Sequence, residues 1–233
     1  MIGQSSDVIW SVMKNPRRQE TKQSSRNITW RDLAMPIIKG SKIRKADHPI
    51  NNIFLDRWSP RAMSGGEISE TELICLFEAA RWAPSANNNQ PWRILYARRD
   101  TEHWPLFLNL LTDSNKIWAK DSSALLLIVS KNTFDNGKPS RTHSYDVGAA
   151  WENLALQGNV SGYVVHGMQG FDYELARSSL NIPDDFTVEA MAAIGIPGNK
   201  EDLPDYLQER ELPNDRRKLT DTVFEGPWGS PIQ

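Results

Sequence analysis

Two arginines and a hydroxyl stand close together at Arg57-Trp58-Ser59-Pro60-Arg61. An arginine presents a planar, permanently charged donor fork and serine adds a short donor, so this spacing suits a phosphate, or else a solvated basic loop. A second stretch, Pro84-Ser85-Ala86-Asn87-Asn88-Asn89-Gln90-Pro91-Trp92, offers small polar side chains and amides that suit the polar edge of a heterocycle; the same residues also build plain turns. Gly167-Met168-Gln169-Gly170-Phe171-Asp172 is a glycine-flanked passage from strand to helix. Glycine lets a backbone approach a flat ring closely, and free amides ahead of a helix can donate to an electron-rich atom. A fourth stretch, Asp215-Arg216-Arg217-Lys218-Leu219, either completes a phosphate site or is a charged surface segment.

Taken in order, these stretches resemble the FMN-dependent nitroreductase family. The resemblance rests on Arg57, Ser59 and Arg61; on Ala80-Arg81-Trp82-Ala83-Pro84-Ser85 with Asn88, Gln90, Pro91 and Trp92; on Asp146-Val147-Gly148-Ala149-Ala150 with Asn153-Leu154; on Gly170-Phe171-Asp172; on Ala193-Ile194-Gly195 with Pro197-Gly198; and on Arg216-Arg217. It runs from about Pro49 to Phe224. Gln169 stands where many members carry an acidic residue, and Lys218 where proline is common.

The resemblance implies an α+β three-layer sandwich with a central mixed sheet, paired into an intertwined homodimer with FMN at the interface. It implies phosphate and ribityl contacts from Arg57, Ser59 and Arg216 or Arg217, with Trp58 beside them, and a cation, Arg61, at the N1 and O2 edge of the ring. Pro84, Ser85, Ala86, Asn88 and Gln90 would approach from the other chain, and the turn of Gly167, Met168, Gln169 and Gly170 would bring an amide near N5. Hydride chemistry then belongs to the cofactor, so no separate catalytic residue is expected. NADH or NADPH would supply electrons for a small-molecule acceptor, a nitroaromatic, quinone or flavin, by a ping-pong cycle. The alternatives are a specialised relative, such as a reductive dehalogenase or a flavin-consuming enzyme with a lid from 98–120 or 131–143, and a flavin-free binding protein.

The elements that must hold these residues follow from periodicity. Ser69 with Glu72 forms a capping box, and Leu73, Leu76, Phe77 and Ala80 recur at helical spacing, so a helix spans 70–82 and stops before Pro84. Strands are expected over 92–97, 124–130, 163–165 and 188–196, and helices over 102–111, 144–159 and 172–180, with Pro105 in a first turn, Asp172 as a cap and Gly162 as a C-terminal stop. This alternation gives helices packed on a central sheet.

The 233 residues divide into a basic N-terminal extension, 1–48, and an FMN-binding domain, 49–233. Residues 1–50 carry a charge of +6 and the remainder −8, which sum to the net −2 and give no reason to expect nucleic acid. No apolar run is long enough to span a bilayer, and the single Cys75, placed in an apolar helical stretch, reads as a buried inert thiol in a cytoplasmic chain. The histidines at 48, 103, 143 and 166 are scattered without metal-ligand spacing.

Overall fold

A computed structural model describes residues 37–232. The first 36 positions of the basic extension lie outside the described residues. The chain passes through α1 (Ile53–Asp56), α2 (Glu70–Arg81), β1 (Trp92–Arg98), α3 (Trp104–Leu110), α4 (Asp113–Ala119), β2 (Ala124–Lys131), α5 (His143–Val160), β3 (Val164–Met168), α6 (Tyr173–Ser179), β4 (Phe186–Gly195) and α7 (Asp205–Gln208).

The helix termini obey the capping chemistry of the sequence. Ser69 Oγ accepts from the Glu72 amide while Glu72 reaches back to the Ser69 amide, the expected box. Asp172 caps α6 through the Leu175 amide, and Pro105 falls in the first turn of α3. α4 was not expected; it starts where Thr112 leaves the helical region, just before the acidic Asp113. Together α3 and α4 bury Trp104, Phe107, Leu110 and Trp118, so these helices of the 98–120 segment contribute to the core.

The sheet has the order β1-β2-β4-β3. Among the described residues every pairing is antiparallel, which corrects the expected mixed sheet. β2 and β3 do run the same way, but β4 lies between them, so no parallel edges meet. β2 is buried along almost its whole length because both faces are covered. On one face Leu125, Leu127, Val129, Met191 and Ala193 pack against α3, α4 and α6; on the other, Leu126, Ile128, Ala192 and Ile194 pack against α2 and α5. That is the three-layer sandwich.

Between Ile128 and Val129 the β2–β4 register slips: Ile128 faces Ala190 and Val129 faces Val188, leaving Glu189 as the extra residue of a bulge. The bulge reverses the side-chain alternation, and Val188 thereby joins Met191 and Ala193 on one apolar face.

Cys75 corrects another expectation: it is exposed. The buried residues of α2 are Leu73, Leu76 and Ala80, and position 75 lies roughly 200° around the helix from Leu73.

Candidate functional site

The first and fourth stretches converge, although some 150 residues separate them. Arg57, Ser59, Arg61 and Arg216 line one cavity of about 480 Å³ together with Arg44 and Arg210. Buried ties bring them there. Arg44, which sequence reasoning left in the basic extension, donates to the carbonyls of Leu55 (2.8 Å), Arg57 (2.9 Å) and Asn214 (2.7 Å). One guanidinium therefore fastens the segment carrying Arg57 to the segment carrying Arg216. Glu211, equally unforeseen, accepts from the amides of Arg61 (2.6 Å) and Ala62 (2.8 Å), and its second oxygen lies 3.9 Å from the Arg61 guanidinium.

The cavity is crowded with positive charge. Burial, then the neighbouring charges of Arg216 and Arg57, hold Arg44 below the usual arginine pKa. Burial and the charge of Arg210 do the same to Arg61, opposed by Glu211. Arg57 pairs with Glu152 of α5 at 3.2 Å. An anion entering this cavity would relieve like-charge repulsion as well as gaining donors. Arg216 is exposed and lines this cavity, whereas Arg217 faces an adjoining groove with Lys45, His48 and Lys218. Trp58 is buried, and its indole N–H donates to the Ile38 carbonyl, which makes it a packing residue of the loop.

His166, on β3, reaches the same cavity. Its Nδ1 lies 2.8 Å from the Pro60 carbonyl and its ring packs against Trp118 at 4.5 Å between centroids. Burial and then the Arg61 charge bring its pKa down to about 4, against the pull of its backbone hydrogen bonds.

The second stretch lies elsewhere on the chain. Asn87, Asn88 and Gln90 adopt left-handed backbone conformations, φ 51°, 56° and 48°. The buried Asp146 of α5 holds this turn by accepting from the Ala86 amide at 3.1 Å, and Ser85 Oγ accepts from the Gln90 amide at 3.0 Å. Asn153 caps the end of α2 by donating to the Ala79 carbonyl at 3.2 Å. The Asp146 and Asn153 positions of the sequence pattern thus do structural work.

The third stretch opens on a separate cavity of about 460 Å³, lined by Gly167, Met168 and Gln169 together with Ser144, Gly148 and Trp151 of α5 and Glu189 of β4. A side chain at Gly167 would sit 3.0 Å from the Trp151 ring, so glycine is what lets the indole lie against the strand. The Met168 side chain is buried in the core, and Gln169 is exposed. Gly170 turns away from the cavity: its carbonyl accepts from the Thr112 amide and the Asn115 side chain, each at 3.0 Å, docking the turn on α4.

Comparison with known proteins bears on the family and the fold. The pattern of the nitroreductase family matches residues 55–121, which include the first two stretches. A solved structure described as "the oxidoreductase containing FMN" superposes with a TM-score of 0.78 and is 47% identical, covering 80% of this chain and 96% of its own. The chain belongs to the nitroreductase family. A 15.4 kDa protein of Mycolicibacterium smegmatis is 32% identical to this nitroreductase-family chain over 119 residues, 49% of this chain and 78% of the relative. A protein of Archaeoglobus fulgidus, named as a candidate NADH dehydrogenase/NAD(P)H nitroreductase, is 26% identical over 151 residues, 63% of this chain and 84% of that one. The nitroreductase-family chain is therefore an oxidoreductase by descent. Among its described residues no helix is long and apolar enough to cross a membrane.

Proposed function

We propose that the chain is an FMN-dependent oxidoreductase that takes electrons from NADH or NADPH and passes them to a nitroaromatic, quinone or flavin acceptor by a ping-pong cycle, working as a homodimer. The observation that carries this reading is the meeting of Arg57, Ser59, Arg61 and Arg216, with Arg44 behind them, in one cavity. The donor set fits FMN: guanidiniums in excess of carboxylates suit its phosphate.

Arg57, Ser59 and Arg216 would hold the phosphate and ribityl chain, and Arg61 would lie at the pyrimidine edge of the ring. Bound there, the flavin supplies two-electron hydride chemistry. Arg61 would favour the anionic reduced state by its permanent charge, and the 167–170 turn would place its amides toward the ring.

The homodimer accounts for the remaining stretch. Residues 84–90 contact α5 at Asp146 while Arg57 contacts it at Glu152, six residues or roughly 9 Å further along the axis. Arg57, Ser59, Arg61 and Arg216 share one cavity among the described residues while the 84–90 turn sits at the Asp146 end of α5, and in this reading the turn of a second copy would complete the flavin site. In the same reading residues 49–233 form the FMN-binding domain, the end of the basic extension is fastened to it through Arg44, and the compartment is the cytoplasm.

Purification tests the proposal. The protein should be yellow, should bleach anaerobically with NADH or NADPH and recover colour with a quinone, and should sediment as a dimer. A colourless protein that takes up no added FMN would overturn it, and a monomer holding FMN tightly would remove the shared site.

A further inference from the structure

The bulge on β4 turns Glu189 toward the start of α5, and there it meets three groups that can carry a proton. Ser130 Oγ lies 2.5 Å from Glu189 Oε1 and 2.7 Å from His143 Nδ1; Ser144 Oγ lies 2.6 Å from the same Oε1. His143 Nδ1 itself is 3.5 Å from Oε1. Ser130 is fully buried at the end of β2, while His143 and Glu189 are each partly open, at 20% and 21% side-chain exposure, so the chain of hydrogen bonds joins two wet ends through a dry middle. Glu189 and Ser144 line the 460 Å³ cavity opposite Gly167 and Gln169.

We propose that His143, Ser130 and Glu189 form a proton relay that ends in this cavity and protonates the reduced acceptor, an inference that rests on the oxidoreductase reading above. Hydrogen-bond logic sets its direction. Ser130 has one hydroxyl proton, and an ionised Glu189 can only accept. Ser130 therefore donates to Glu189 and accepts from His143 Nδ1–H. All these contacts use Oε1, which leaves Oε2 for a ligand in the cavity. Other charged groups nearby are engaged elsewhere: Lys131 pairs with Asp135, Asp146 accepts from the Ala86 amide, and Arg93 donates to the carbonyls of Gln90 and Trp92. Among the described residues, His143 is the ion-pair partner of Glu189.

The step balances for a quinone acceptor. Gaining one hydride, which the anionic reduced flavin favoured by Arg61 would supply, a quinone would become a hydroquinone monoanion that still lacks one proton. A proton that has entered at His143 Nε2 leaves by Nδ1–H to Ser130, whose own hydroxyl proton passes to Glu189. The carboxyl rotates and hands that proton to the hydroquinone oxygen; the Ser130 hydroxyl then turns back toward Glu189, and His143 regains its Nδ1–H tautomer by ring flip and exchange with solvent.

Two readouts test the relay. In anaerobic stopped flow with para-benzoquinone, Glu189→Gln and Ser130→Ala should each slow reoxidation of the reduced protein about ten- to a hundredfold, the range of lost general-acid help, and diminish its solvent deuterium isotope effect. His143→Gln should do the same and recover with added imidazole. The second readout needs no flavin. Titration calorimetry of 4-nitrophenolate in two buffers of different ionisation enthalpy should show proton uptake on binding to the wild type and none in Glu189→Gln. Unchanged isotope effects and unchanged proton uptake in the variants would overturn the relay, leaving Glu189 as a cap on the first turn of α5. A colourless protein that takes up no added FMN would overturn the flavin-dependent reading instead, and the calorimetry would still decide the relay.

Discussion

Replacing His166 by asparagine should make the protein less sensitive to acid. In the folded chain the imidazole titrates at about 4, because burial disfavours its charged form and the Arg61 guanidinium adds repulsion; the ordinary value is 6.5. Between those two values the unfolded chain holds a proton that the folded chain refuses. Protonation then favours the unfolded state, so stability falls as pH drops through 6.5 and goes on falling until about 4. A displacement of this size corresponds to about 3 kcal/mol when the window has been fully crossed, of which about 2 kcal/mol appears between roughly pH 7 and pH 4.5. Asparagine can keep a donor toward the Pro60 carbonyl, which His166 Nδ1 now meets at 2.8 Å, and it has no titration to lose. Urea unfolding of both proteins across this range gives the comparison. The gap between their unfolding free energies should close by about 2 kcal/mol toward acid, and parallel curves would show that His166 is not held neutral by its surroundings. Inorganic phosphate sharpens the test: an anion beside Arg61 offsets the repulsion, so wild-type acid sensitivity should lessen with added phosphate and the variant should not share that benefit.

Other substitutions probe the cationic cavity and the packing beneath it. Arg57→Ala and Arg216→Ala should each weaken FMN binding by about 1.5–3 kcal/mol, the range for a hydrogen bond to a charged group, measured by fluorescence titration; unchanged affinity in both would refute the phosphate assignment. Arg61→Gln should leave FMN bound and lower its midpoint potential by roughly 30 mV for each pK unit of lost preference for the anionic reduced form, and equal midpoints in spectroelectrochemical titration would remove Arg61 from the chemistry. Gly158→Ala should destabilise despite the better helix propensity of alanine, because its Cβ would come within 2.3 Å of a Val165 methyl; overpacking costs about 1–3 kcal/mol against about 1 kcal/mol gained, and Val165→Ala in the same chain should restore stability in thermal melts.

Local chemistry was the legible part of the fold. Ser69 with Glu72, Asp172 and Pro105 each announce a helix end because the signal and the structure it makes lie within one turn. Motif order also pointed to Arg57, Ser59, Arg61 and Arg216, and the chain does gather them. What stayed hidden depends on distant partners. Arg44 looks like one more charge in a basic segment until Asn214 and Leu55 come to either side of it. Glu211 has no local pattern at all; its meaning is the pair of amides at 61 and 62. Cys75 misleads because Ile74, Cys75 and Leu76 read as an apolar run, while the helix turns only Leu76 inward. The Glu189 bulge left a faint trace: Val188 shares a face with Met191 and Ala193, an alternation that slips by one residue.

Helix α5 explains how stretches so far apart in sequence keep a fixed relation. Its 18 residues span about 27 Å. Near its start Ser144 meets Glu189, and Asp146 holds the 84–90 turn. Trp151 lies against Gly167, and Glu152 meets Arg57. Near its end Gly158 admits Val165 of β3, and Asn159 donates to the Asp56 carbonyl. The first three chemical stretches and the relay are thus all referenced to one rigid rod, buried along Val147, Ala150, Leu154, Ala155 and Gly158. The fourth is referenced to it indirectly, because Arg44 binds Asn214 to the Arg57 carbonyl and Arg57 binds α5. Loosening either link should therefore cost ligand affinity at the cationic cavity while leaving the sheet intact, since neither Arg44 nor Glu152 belongs to the two apolar layers that hold the sheet together.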